Sequence, residues 1–242
     1  MTPHILFLLS ILFYSFNSLS FQIELEVGQV KLHKNKVRIP GNTGTSFDTT
    51  ELSPTEGLFY RLNLYVPLKG KNSLRLLYGP LEINQNGNFS NDILFDGATF
   101  SKSTNTDVLY KFNSYRLTYR YLFNDGANFK LFVGLTGKIR DAEIKLAQGN
   151  LSKSYTNVGF VPLIYLRGDW KAVDWLTLIL EMDAAGASQG RAIEGVLKTR
   201  ASINNNLGLS LGHRVLEGGA DNDRVFTWSL ISFSFLSLDF SF

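Results

Sequence analysis

The residues best equipped for chemistry lie late in the chain. His213 is followed by Glu217, Asp221 and Asp223 within Gly212-His-Arg-Val-Leu-Glu-Gly-Gly-Ala-Asp-Asn-Asp223. A histidine near carboxylates is the raw material of a general base with an orienting acid. One expectation is therefore a surface hydrolase, of protease or lipid-modifying type, with His213 as base. Glu217 and Asp221 are its nearest acids, and Asp141, Asp183 and Glu194 should lie toward the same rim. His213 and Glu217 also have H-x-x-x-E spacing, but four residues of strand span about 13 Å, so the two cannot share a metal. Gly218 to Asp223 is close to a calcium-binding G-G-x-G-x-D repeat, yet Asp221 replaces a Gly and the repeat occurs once. It reads as a turn, because Gly, Asn and Asp tolerate turn dihedrals. No metal site is expected.

What is missing narrows the classes further. There is no G-x-x-x-x-G-K-[ST], no G-x-G-x-x-G after a strand, no G-x-S-x-G and no H-E-x-x-H, so no cofactor is expected. The chain has no Cys, which removes disulfide scaffolds, thiolate metal sites and cysteine nucleophiles. A net charge of +3, with 24 basic residues scattered along 242, does not point to nucleic acid. Among the other histidines, His4 falls in the N-terminal segment and His33 in the first long connection.

The larger constellation is a set of charges, and its elements are strands. From Phe21 onward the dominant period is two. Phe21, Ile23, Leu25 and Val27 alternate with Gln22, Glu24 and Glu26; Tyr115, Leu117, Tyr119 and Tyr121 alternate with Arg116, Thr118 and Arg120. Ten strands are expected, at 21–30, 58–69, 73–86, 107–123, 129–146, 154–170, 174–186, 191–203, 207–217 and 224–242. Connections after odd strands look long or variable (31–57, 87–106, 147–153, 187–190, 218–223). Those after even strands look tight (70–72, 124–128, 171–173, 204–206). An even number of strands with sorted connections is the pattern of a closed, antiparallel, up-and-down transmembrane β-barrel.

Magnitudes decide which face is inside. Arg or Lys facing lipid at mid-depth costs about 2–4 kcal/mol each, so the basic face must line the interior. By parity the lumen holds Arg61, Arg75, Arg116, Arg120, Lys138, Arg140, Arg167, Lys198, Arg200 and Arg214, with Glu24, Glu26, Glu82, Asp169, Glu181, Asp183 and Glu194. The apolar face then meets lipid. Aromatic residues beside the tight turns, among them Tyr119, Phe123, Trp170, Trp175 and Phe240, form an interfacial girdle. Ten strands sit near the size at which side chains fill the barrel, which favours a plugged lumen over an open one.

Residues 5–16 form an apolar run too short to span a bilayer as a helix, and Ser18 and Ser20 place small side chains before Phe21. Residues 1–20 are read as a signal peptide and 21–242 as the barrel. The C-terminal Leu236-Ser-Leu-Asp-Phe-Ser-Phe242 resembles the signal that the outer-membrane assembly machinery reads in Gram-negative barrel proteins. Gly41–Asp48, Asn113–Tyr121 and Gly212–Asp223 resemble segments of an uncharacterised family of such proteins. The His and Asp residue types are also similar to those of omptin-type proteases, but no omptin motif aligns here.

The resemblance implies residence in the bacterial outer membrane, among lipid and lipopolysaccharide, with assembly through Phe242. The expected function is a structural barrel or a narrow, porin-like, anion-preferring passage without catalysis. The His213 hydrolase is one alternative. The other is an adhesin or receptor binding through 31–57 and 87–106.

Overall fold

The computed structural model describes residues 20–242. The expected signal peptide, apart from Ser20, lies outside the described residues. In chain order the strands are β1 (Gln22–Arg38), β2 (Phe47–Asp48), β3 (Glu56–Pro67), β4 (Asn72–Gly79), β5 (Glu82–Gly87), β6 (Ile93–Phe95) and β7 (Ala98–Phe100). They continue as β8 (Thr106–Asp125), β9 (Phe129–Gln148), β10 (Leu151–Val173), β11 (Leu176–Ala187), β12 (Gly190–Ser202), β13 (Leu207–Asp221) and β14 (Phe226–Ser241).

β4 and β5 line up in succession along β8, so together they occupy one wall position. Each wall strand pairs antiparallel with its neighbours, and β14 returns to β1 from Gln22↔Ser241 to Arg38↔Phe226. The result is a closed barrel of ten wall positions. Both ends of the described chain meet at one rim, where the Phe21 and Phe242 rings stack at 4.3 Å and the Phe242 amide donates to the Phe21 carbonyl.

Along each long strand the two faces exchange polarity part-way up. On β1 the lower exterior is Leu25 and Val27 over buried Glu24 and Glu26; higher up, Lys31 and His33 face out over buried Val30 and Leu32. β4 and β5 repeat this, with Leu76 and Tyr78 outside Arg75 below, and Glu82 and Asn84 outside Ile83 and Gln85 above. An apolar exterior over a charged interior suits hydrocarbon. A polar exterior over an apolar interior suits water, so the upper part of the barrel is built like a soluble protein.

The exchange corrects several sequence expectations. β1 runs to Arg38 and carries His33, because apolar residues hop from odd to even positions after Val27 and mimic the end of a strand. Glu82 faces outward for the same reason. Three outer connections are short, since β9 and β10 meet at Gly149-Asn150, β11 and β12 at 188–189, and β13 and β14 at 222–225. Gly149 takes φ +53°, a conformation that favours glycine in so tight a turn. Only 39–55 and 88–105 are long.

Both long connections fold onto the outer rim. Ile39, Phe47, Leu52, Phe89, Ile93, Phe95 and Phe100 are buried with Val30, Val37, Ile83, Val108, Leu146 and Ile231 of the wall in one apolar cluster. Phe47 meets Phe89 edge-on at 5.1 Å. The loops are tied to each other by Thr45 N–H to the Leu94 carbonyl and Asp96 N–H to the Ile39 carbonyl.

The wall separates at two places. β3 and β4 pair only from Leu62↔Tyr78 downward, and above this the Ser53↔Asn86 bridge and Leu52 close the gap beside β5. The β10–β11 ladder likewise stops at Ile164↔Ala184, while β10 continues outward to Leu151 on β9 alone. Among the described residues no strand pairing or side-chain hydrogen bond closes this second gap.

Candidate functional site

The lower lumen is filled by an ion-paired layer. Strand pleat brings Arg61 of β3, Arg75 of β4, Arg116 of β8, Glu181 and Asp183 of β11, Glu194 of β12 and Arg214 of β13 to the same depth, all buried. Glu194 accepts from Arg61 Nη1 at 2.9 Å and Arg214 Nη1 at 2.6 Å on Oε1, and from Arg116 Nη2 at 2.5 Å on Oε2. Asp183 Oδ2 accepts from Arg116 Nη1 at 2.9 Å and Arg75 Nη2 at 3.0 Å, and Arg75 also pairs with Glu181. Arg214 reaches Glu26 at 2.5 Å.

Below this lie Lys198 with Glu24, Arg167 with Asp169 at 2.6 Å, and Arg200 held by both Asp239 oxygens at 2.8 and 2.6 Å. Such groups are stable away from water only when paired and hydrogen-bonded. Tyr65 donates to Glu24 and Tyr165 to Glu181, each at 3.0 Å. Parity in the sequence puts Thr118 on the face of the arginines, and Thr136 donates to Asp183 at 2.6 Å; Tyr165 was passed over, though it shares the parity of Arg167.

Arg120, Lys138 and Arg140 are the interior cations of the wall that have no carboxylate within ion-pair distance among the described residues. Arg120 is stacked in aromatic rings, 4.4 Å from the Phe132 centroid and 5.0 Å from Tyr65. Lys138 and Arg140 instead border a cavity of about 450 Å³ in the upper lumen. Lys138 is 4% exposed, its Nζ 4.8 Å from the Phe112 centroid. Arg140 Nη2 donates to Asn157 Oδ1 at 2.5 Å. Tyr110, Tyr155, Ala142, Leu163, Ala185, Ala192 and Leu216 supply apolar wall around them.

The candidate hydrolase constellation is dispersed. His213 lies on the exterior of β13, with Nδ1 3.1 Å from Ser234 Oγ. Glu217 accepts from Arg191 at 2.6 Å and from the Trp228 indole at 3.2 Å, and Asp221 is exposed at the strand end. Asp141 is on the outside with Lys111 at 2.9 Å, while Asp183 and Glu194 are on the inner side of the wall from His213. The histidine therefore has a hydroxyl beside it and, among the described residues, no acid to orient it.

No family model and no curated protein matches the chain. Among solved structures, the outer membrane protease OmpT from Escherichia coli matches with a TM-score of 0.64, over 92% of this chain and 97% of that one, at 10% identity. The two share a barrel fold. The translocator domain of the autotransporter NalP from Neisseria meningitidis covers 99% of this chain and 95% of its own at 10% identity and a TM-score of 0.41. Ail of Yersinia pestis covers 92% and 99% at 9% identity and a TM-score of 0.40. Identity this low carries architecture without chemistry.

Proposed function

We propose that this chain is an integral outer-membrane barrel that seals the membrane rather than conducting through it, and that its working part is the outer half. The observation that carries the reading is the layer around Glu194, in which three arginines converge on one buried carboxylate across the full width of the lumen. A conducting path would need those groups hydrated and separated. Lipid and lipopolysaccharide surround the apolar belt, and Phe242, exposed at the inner rim, is the handle for the assembly machinery.

The passage reading is set aside because basic groups that outnumber acidic ones attract anions only where they face solvent, and here most are spent on ion pairs. The hydrolase reading lacks an acid at His213. Receptor binding through the long loops is weakened because their large aromatic side chains point into the barrel.

In planar bilayers the refolded protein is expected to give no single-channel steps. Anion-selective steps that vanish when Arg116 and Arg120 are neutralised would overturn the sealed reading.

A further inference from the structure

The gap between β10 and β11, the cavity behind it and the two unpaired cations form one continuous feature. Above Ile164↔Ala184 the wall is unzipped, and the cavity is bordered there by Val161 and Leu163 on one side and by Ala185, Gly186 and Ala187 on the other. Lys138 pairs with Val161 and Arg140 with Gly159 across the β9–β10 ladder, so both cations stand one strand from the gap. The outer surface beside it is apolar: Val158 is 71% exposed, Phe160 70% and Ile164 60%. The gap therefore begins inside the belt that hydrocarbon wets, and it leads inward to Lys138 and Arg140, in a lining whose carboxylates Asp183, Glu194 and Glu217 are already held by arginines.

Unpaired backbone at membrane depth is tolerated only where it is buried in protein or lines a water-filled cavity, and a lysine buried to 4% exposure with no hydrogen-bond partner among the described residues keeps its charge only beside an anion. The volume lies within the range of small-molecule sites. A water-borne anion would need neither an apolar slit nor apolar walls. We propose that the gap is a lateral entrance from the outer leaflet, and that the cavity holds a single-chain anionic amphiphile. Its carboxylate would lie at Lys138 and Arg140, with its tail running along Leu163 and Ala185 toward the bilayer. This rests on the lumen being sealed below, since the ligand otherwise has a second way in and out.

The test is saturable binding of a fluorescent fatty acid to the protein in phosphatidylcholine nanodiscs, with empty nanodiscs as background. Unlabelled dodecanoate should displace it, whereas acetate and dodecyltrimethylammonium at equal concentration should not. Lys138→Gln with Arg140→Gln should weaken binding about tenfold or more, through loss of charge-assisted hydrogen bonds. Ala185→Trp should do the same by obstruction, because Ala185 has the inward parity of Asp183 and borders the cavity; the fold has to survive the change. Unchanged heat-modified migration on gels checks that it does.

Acetate competing as well as dodecanoate would overturn the proposal in favour of a soluble anion entering from the mouth. Undiminished binding in either variant, or none in the wild type, would also overturn it. Conductance of the same preparations separates these failures from failure of the seal.

Discussion

Replacing Glu194 with alanine should destabilise the folded barrel by on the order of 3–5 kcal/mol, the largest effect expected of any single lumen substitution. The reason is stoichiometric. Arg61, Arg116 and Arg214 all donate to this one side chain, and each is buried. Removing the carboxylate leaves three guanidiniums sharing Asp183 and Glu26, which are already engaged. The loss comes chiefly from charge left without a partner, so Glu194→Gln, which keeps shape but not charge, should be nearly as damaging. Guanidinium-induced unfolding in detergent micelles, followed by tryptophan fluorescence, measures both. A Glu194→Gln midpoint equal to the wild type would mean that water already screens the layer, and the seal would be untenable.

The second large effect concerns the outside. Leu117 is 50% exposed on β8, between Leu76 of β4 and Gly137 of β9, in the middle of the apolar belt. Leu117→Arg should cost about 2–4 kcal/mol in lipid vesicles. Asn84→Arg, on the exterior of β5 above the polarity exchange, should cost about 0–1 kcal/mol. The contrast matters more than either value, because both positions are exposed strand exteriors and differ only in what wets them. Equal costs would remove the boundary between membrane and water from the upper wall.

Much of this was readable from residue order. Period two gave away the strands, and the cost of an arginine in lipid told inside from outside, so Arg61, Arg75, Arg116, Arg120, Arg140, Glu181, Asp183, Glu194 and Arg200 were assigned to the lumen by parity alone. All nine face inward. Parity failed where the solvent changes: after Val27 the apolar residues of β1 move to even positions, and an alternation rule that assumes one environment per face reads the shift as a loop. The same assumption put Glu82 inside.

Pairing across the lumen was invisible, because which arginine meets which carboxylate depends on angle around the barrel and not on distance along the chain. For that reason the isolation of Lys138 could not be seen. The lateral gap left one faint mark, Pro162, which has no N–H to offer a ladder and sits on the strand whose outer edge is unpaired. His213 attracted attention for its residue type and its neighbours in sequence. On a strand those neighbours are strung out along the wall instead of gathered around it.

Since the chain has no Cys, single cysteines can report on each exterior position separately. In lipid vesicles, a membrane-impermeant maleimide should label Asn84→Cys and Lys145→Cys rapidly and leave Leu117→Cys and Leu236→Cys unreactive until detergent is added. Labelling of the Leu117 and Leu236 variants as fast as the Asn84 variant, with the barrel still folded, would contradict the assignment of the apolar belt to hydrocarbon.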